Sequence, residues 1–466
     1  MIRPSASTPG DSEREQEVSP AAGLPVRRAA RVAAWHADEA DVRCRLDLDV
    51  VVELARAGFN RHFVPAEHGG TEGSFTDLVQ AAAHVGEGCT SAAWVATLFA
   101  AHGRIASYLP ERARRELWGT SPDTRIAAGV APPGPHAVTV PGGWLLSGEW
   151  PSVSGVDFAD WVLLAALAEG AGGVESGGAG FAGEGSGGAA SGGVGSGGAG
   201  SGGAGSGGVG SGGAGSGGAG SGAEGPGGAG FAGEGSDGVG SGAAGADGAG
   251  SGGEVPTLFL VPIEDCQVLD TWNPLGMRGT GSNTVRLDGV FVPGHRAVPR
   301  ARLLVPREQG AARCHSVPYP LVAALMFAAP VLGAARGALT EWTRAAVDRT
   351  GPDGGRAGST PALSTALARS SAGLRAAELL LDSAARRADA ARIEPLAVAE
   401  TARDVVAAVE MCAAAVDRLF RTTGSRGQSQ QDPVQRRWRD IQSASTHAML
   451  RFDASAQSYA QAVFGA

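Results

Sequence analysis

The chain has 466 residues, with 38 basic against 47 acidic side chains and a net charge of -9, a length that allows about three domains. That balance argues against a nucleic-acid partner, which would ask for Lys and Arg clustered on one face, and no apolar run reads as long and clean enough to cross a membrane. The five cysteines, at 44, 89, 266, 314 and 412, are odd in number and lack CxxC spacing; they read as reduced thiols of a cytoplasmic protein with no metal site.

Residues 1–27 are polar, lack the apolar core of a signal peptide and read as a disordered leader. The stretch 28–120 is predicted as an N-terminal α-helical domain. Its first helical region, 28–57, stops at Gly58, and 59–70 is a loop. Ser74 opens a helix with Asp77 placed as the capping carboxylate. The run SAAWVATLFAAHGRIASY, 91–108, is apolar nearly all round and is predicted to be a buried helix. Pro110 then opens the short helix PERARRELWG.

From 121 to 300 short apolar segments bounded by Gly and Pro predict a central antiparallel β domain. A Gly/Ala/Ser-rich tract, 169–253, interrupts it with GSGGAG-like repeats and carries AGFAGEGS twice. It has almost nothing to bury and reads as a disordered insertion between two paired strands, WVLLAALA and TLFLVPI. Loop-closure entropy grows only logarithmically with length, so the sheet tolerates it. From 315 to 466 the pattern is a C-terminal four-helix bundle: an apolar helix from about 318 with Pro330 as a kink or break, helices over about 361–390 and 395–422, and a last helix from Pro433 to the end. The fold class is therefore α+β and multi-domain.

The chain is organised around GGWLLSGEWPSVSGVDFADWVLLAA, 142–166. Two strands meet there through Pro, Ser and Gly, which leaves irregular backbone and hydroxyls beside the crossing, a suitable floor for a flat heteroaromatic cofactor.

The order α, β, α-bundle, together with GFNRHFVPAEHGG (58–70) and LGMRGTGSNTVRLDGVFVP (275–293), resembles the acyl-CoA dehydrogenase fold. EWPSVSGVDFADWVLLAA, His102 and PVQRRWRDIQSASTHA (433–448) are similar to the flavin-dependent monooxygenase branch of that fold, the oxygenase components of two-component aromatic hydroxylases. The resemblance implies reduced FMN or FAD as cofactor and hydroxylation of an aromatic or related small molecule through a flavin C4a-hydroperoxide. It also implies a separate NAD(P)H-dependent flavin reductase and a homotetramer; the expectation of no membrane partner rests on the apolar-run reading above. It places Ser154 beside the reactive ring nitrogen, with Trp150 and Ser152 alongside, and His447 against the flavin from the last helix, on the same face as Asp440. His102 becomes the base that takes a phenolic proton. Arg278, Thr280, Ser282 and Arg426 become contacts to the cofactor's phosphate or ribityl chain.

Each assignment has a plain structural alternative: a turn serine for Ser154, a surface histidine for His447, a satisfied core histidine for His102 and a β-turn for 278–282. Asp440 reads as an ion-pair partner of Arg436 at i,i+4. The run IAAGVAPPG, 126–134, offers Ala127, Ala128 and Gly129 where relatives carry a serine facing substrate, which leaves room for substrates other than simple phenols. An acyl-CoA dehydrogenase or flavin oxidase would need a carboxylate base, and Glu341, Glu378 and Glu410 look like ordinary helix-face residues. A catalytically silent homologue serving as an interaction protein is the non-enzymatic alternative.

Overall fold

The computed structural model describes residues 24–130, 134–168, 254–307, 310–348, 360–394 and 396–465. Nearly all of the 1–27 leader and the whole 169–253 tract fall outside the described residues, and so does the second compact unit, Glu175–Asp247.

The first region is helical, but 28–57 forms three helices rather than one run: α1 (Arg27–Trp35), α2 (Ala37–Arg43) and α3 (Leu48–Arg56). Cys44 ends α2 in the left-handed region, and Asp47 restarts the chain by capping the Asp49 amide at 2.9 Å. Gly58 follows α3 with φ +93°, as its stop position requires. α4 (Phe75–Gly86) carries the predicted cap, Ser74 accepting from the Asp77 amide and donating to its carboxylate at 2.7 Å. Asp389 adds a second cap from the far end of the chain, accepting from the Phe75 and Thr76 amides. α5 (Thr90–Ala106) is buried on nearly every face, and α6 (Glu111–Trp118) begins after Pro110.

Eight strands follow in one sheet of order β6-β7-β3-β2-β4-β5-β8, with β1 also on β4. They are β1 (Ile126–Gly129), β2 (His136–Val140), β3 (Gly143–Val153), β4 (Trp161–Ala168), β5 (Val255–Pro262), β6 (Gln267–Leu269), β7 (Asn283–Pro293) and β8 (Ala297–Pro299). The sheet is mixed, not antiparallel as the segment pattern suggested: β1 and β2 both pair parallel to β4. The cause is the path. β2 and β3 form a hairpin, β3 crosses over through 154–160, and the returning β4 then runs in the β2 direction beside it. The predicted pairing of β4 with β5 is present in full antiparallel register, Trp161 opposite Pro262 through Ala168 opposite Val255.

β4 is apolar on both faces because both are covered. Val162, Leu164 and Ala166 pack with Trp144, Leu146 and Trp150, whereas Leu163 and Ala165 pack against Ile105, Leu109 and Leu117 of the helical region. This second face ties the sheet to α5 and α6.

After the short α7 (Arg313–Ser316) come α8 (Tyr319–Val347), α9 (Pro361–Asp389), α10 (Ala397–Arg421), α11 (Pro433–Ser445) and α12 (Phe452–Phe464). α8 runs through Pro330 as one helix, so the predicted break does not occur there. By length and composition alone it is apolar enough to cross a membrane, which corrects the reading that no run is; here it is a core helix packed against α4, α5, α9, α10 and α11. Its crossing with α4 depends on two glycines. A Cβ on Gly86 would come 2.9 Å from the Pro330 carbonyl, and one on Gly333 would run into the Ala83 carbonyl. Gly333→Ala is expected to lower stability by roughly 1–3 kcal/mol, despite the helix propensity that Ala gains over Gly. Chemical denaturation would read it, and an unchanged midpoint would remove the close-crossing argument.

The last predicted helix is two. The chain leaves helical geometry at His447, makes a 3-10 turn over Ala448–Leu450 and resumes as α12.

Candidate functional site

α5 positions the site. Its Trp94 faces Phe327 of α8 and His447, with ring centroids 5.0 and 5.7 Å away, and Phe327 stacks on His447 at 4.0 Å. The next residue, Val95, and Phe99 one turn beyond it press against Gly155, where a Cβ would come within 3.0 Å of Val95. Another turn on, His102 points Nδ1 at the Ile126 carbonyl of β1, 2.8 Å away. One helix thus touches the β3–β4 crossing, the C-terminal His447 and the candidate base.

The Ile126 carbonyl can only accept, so Nδ1 of His102 carries the hydrogen and Nε2 is left with a lone pair. His102 lines an apolar cavity with Phe63, Phe75, Leu98, Met326 and Phe327, and burial pushes its pKa down to about 4. The ring is therefore neutral at neutral pH, with its basic nitrogen uncommitted. Two further polar groups border the same cavity, Tyr319 and Arg104. Arg104 is only 2% exposed and donates to the Cys314 and Val317 carbonyls, but its Nη1 has no partner. No carboxylate lies along the cavity wall among the described residues.

His447 is half-buried and is not on the helix face of Asp440, as the spacing implied. It precedes the 3-10 turn with extended backbone, its Nδ1 accepting from the Met449 amide at 3.3 Å. Burial among Trp94 and Phe327 lowers its pKa to about 4. Asp440 is also placed differently. It is buried and accepts the Met277 amide at 2.7 Å, while Arg436 pairs with Asp38 of α2. Burial raises the Asp440 pKa.

At the β3–β4 crossing the structure brings three predicted residues together. Ser154 lies 2.7 Å from Ser282, Ser282 lies 2.7 Å from Thr280, and Thr280 donates to the Met277 carbonyl at 2.8 Å. The Gly155 amide also donates to the Thr280 carbonyl, at 2.9 Å, which locks the crossing onto the 278–282 turn. Asp157, three residues beyond Ser154, has a buried Oδ2 without a partner beside Gly281, and Asn283 serves its other oxygen. Ser152 and Met277 are two of the four non-glycine residues with positive φ among the described residues, at +60° and +57°. Strain of this kind gathers at functional loops.

The remaining predicted residues are spread out. Trp150 is a core residue whose indole N–H goes to the Ala165 carbonyl at 2.7 Å. Ser152 is exposed on the outer side of the bulge. Arg278 is half-buried and spends its donors on the Asp41 and Pro274 carbonyls and on Asn273, holding α2 to the turn. Arg426 is exposed in the 3-10 segment after α10. Sequence reasoning missed Trp94, Phe327, Arg104 and Tyr319. The signal available for Arg104 was a lone charge inside an otherwise apolar helix.

Two features would serve a flavin: the aromatic cluster of Trp94, Phe327 and His447, and the polar crossing where Ser154 pairs with Ser282 and Asp157 keeps a buried, unpartnered oxygen. Two family models match the chain, the acyl-CoA dehydrogenase N-terminal domain over residues 26–116 and its C-terminal domain over 325–452. Among curated relatives, the flavin-dependent monooxygenase oxygenase subunit HsaA of Rhodococcus jostii is 24% identical, covering 88% of this chain and 90% of its own. The FADH(2)-dependent resorcinol hydroxylase oxygenase component of a Rhizobium species is 26% identical, covering 90% and 88%. Among solved structures, XiaF from a Streptomyces species, in complex with FADH2 and glycerol, superposes with a TM-score of 0.72 at 23% identity, over 95% of this chain and 94% of that one. The helical ends, the mixed sheet between them and the two domain matches give the chain the acyl-CoA dehydrogenase fold, with flavin-dependent monooxygenases among its full-length relatives.

Proposed function

We propose that this chain is the oxygenase component of a two-component flavin-dependent monooxygenase acting on an aromatic small molecule. The observation that carries the reading is the apolar cavity at His102, which offers a neutral base and no carboxylate among the described residues. An acyl-CoA dehydrogenase would need a carboxylate over the substrate carbon there. Reduced FMN or FAD, when bound, supplies the activation of dioxygen. The chain's own groups do the rest. His102 Nε2 accepts a proton from the substrate hydroxyl, and Arg104 supplies an uncompensated positive charge that favours an oxyanion in the cavity. Trp94, Phe327, Met326 and His447 keep water out.

The cavity has about 40 Å³ of free space, against the ~150 Å³ that holds a benzene ring. Substrate entry therefore requires side chains of the cavity wall to move. A separate NAD(P)H-dependent flavin reductase is part of the same proposal, since no GxGxxG turn joins a strand to a helix among the described residues. A homotetramer is supported by the exposed apolar residues Phe452, Val463 and Phe464 of α12, and a cytoplasmic setting by five unpaired cysteines.

The deciding experiment mixes the protein with reduced flavin, isotopically labelled dioxygen and a panel of phenols. Transfer of one labelled oxygen atom into a product supports the proposal. Bleaching of protein-bound oxidised flavin by an acyl-CoA, with no oxygen transfer to any phenol, would replace it with the dehydrogenase reading.

A further inference from the structure

A phenolic oxygen in the cavity at His102 needs more than a base. It carries one hydrogen and two lone pairs. Neutral His102 offers only Nε2, which takes the hydrogen, so the lone pairs are left facing the wall. Unpaired in so apolar a space, they cost binding energy. β1 has no side chain to meet them: Ala127, Ala128 and Gly129 carry no hydroxyl, and the next residue, Val130, is the one that lines the cavity.

The facing helix does. Two contacts fix how α5 and α8 pass each other. Trp94 meets Phe327 at a ring distance of 5.0 Å, and Arg104 donates to the Val317 carbonyl. The two stretches are therefore antiparallel. His102, two positions before Arg104, falls level with Tyr319, two positions after Val317, and both line the cavity. Tyr319 opens α8 directly after Pro318, and Val322, Ala323 and Met326 continue its face along the wall. Its hydroxyl makes no hydrogen bond among the described residues. Burial raises its pKa, with Arg300 and Arg104 pulling the other way, so the hydroxyl keeps its hydrogen and can donate it. Arg104 is less free. Its Nε serves the Cys314 carbonyl at 2.6 Å and its Nη2 the Val317 carbonyl. It also leaves α5 roughly 200° around from His102, so it acts on the cavity by charge.

We propose that Tyr319 is a second catalytic residue, donating a hydrogen bond to the same substrate oxygen that His102 deprotonates. The assignment rests on the monooxygenase reading above. The proton passes from the substrate oxygen to His102 Nε2. Tyr319 keeps its own, and its hydrogen bond strengthens as negative charge builds on that oxygen.

The test uses 4-nitrophenol, whose phenolate is yellow and whose neutral form is not, bound to the full chain without flavin and titrated across neutral pH. Tyr319→Phe keeps the ring and removes only the donor. It is expected to raise the pH at which the bound probe turns yellow by about one to two units, the worth of one hydrogen bond to a charged oxygen. In turnover, kcat should fall roughly ten- to hundred-fold while KM and flavin affinity stay within about three-fold of wild type. An identical titration in the two proteins, or a loss confined to KM, would overturn the role of Tyr319 and leave the monooxygenase reading to be decided by oxygen transfer. Failure of the wild type to bind the probe would remove the phenol reading of the cavity, and this role with it.

Discussion

Replacing His102 with asparagine is expected to leave flavin affinity within about three-fold of wild type and to lower turnover by ~10²–10⁴, the usual worth of a positioned general base. Asparagine is the informative choice because its amide can still donate to the Ile126 carbonyl that His102 Nδ1 serves at 2.8 Å. The loss then reports the missing Nε2 and not a collapsed wall. The size of the proton-transfer step constrains how His102 works. Its pKa is held near 4 by burial, whereas a phenol ionises near ~10, so complete transfer before reaction would be uphill by about 8 kcal/mol. His102 must therefore take the proton as the ring loses electron density, with the buried Arg104 charge and the nascent oxyanion both lowering the cost. The pH profile follows. With a free-protein pKa of about 4, kcat/KM should show no inflection near 6.5 and should fall only as the pH approaches 4. Wild-type turnover in the asparagine variant would remove His102 from the mechanism.

Acid should destabilise the fold well before it titrates the active site. Burial lowers His102, His315 and His447 to about 4, and lowers His62 as well. An unfolded chain protonates these rings near ~6.5 while the folded protein keeps them neutral down to about 4, so unfolding takes up protons between those values. Their contribution is fully present above pH ~6.5 and is lost progressively as the pH falls towards 4, on the order of 1–3 kcal/mol per ring. Asp440 and Asp157, raised by burial, act in the opposite sense and trim the slope. Urea midpoints measured at pH 7.5 and pH 5 should therefore differ by several kcal/mol in derived stability. His447→Phe, which keeps the stack on Phe327, should flatten the slope by about one proton. A midpoint independent of pH across that range would contradict the burial of these rings.

Much of the fold was legible because local chemistry and tertiary placement agree. The Ser74 cap, the Gly58 stop, the all-round apolar α5 and the β4–β5 pairing each follow from residues within a few positions of one another or from a plain apolar run. The errors share one cause, which is that a distant partner outbids a near one. Asp440 has Arg436 at i,i+4, yet burial against the 276–282 turn gives it the Met277 amide instead, and Arg436 goes to Asp38. The break at His447 has no Gly or Pro to announce it; the ring leaves the helix to stack on Phe327. Parallel pairing of β1 and β2 with β4 is a property of the chain's path and leaves no mark on strand composition. Within the candidate site, the motifs brought Ser154, Thr280, Ser282 and His102 into view. His447 was in view with them; its ring partners Trp94 and Phe327 came only from packing, and Arg104 was marked only as a lone charge in an apolar helix.

The register of β4 with β5 has a practical consequence. Ala168 and Val255 are direct partners at the end of eight matched pairs, so the two ends of the Gly-rich tract emerge side by side at one rim of the sheet. A turn of two to five residues is enough to join such ends. The same rim is therefore a natural place to shorten the chain or to splice in a reporter domain, since a short turn from β4 to β5 would keep all eight pairs.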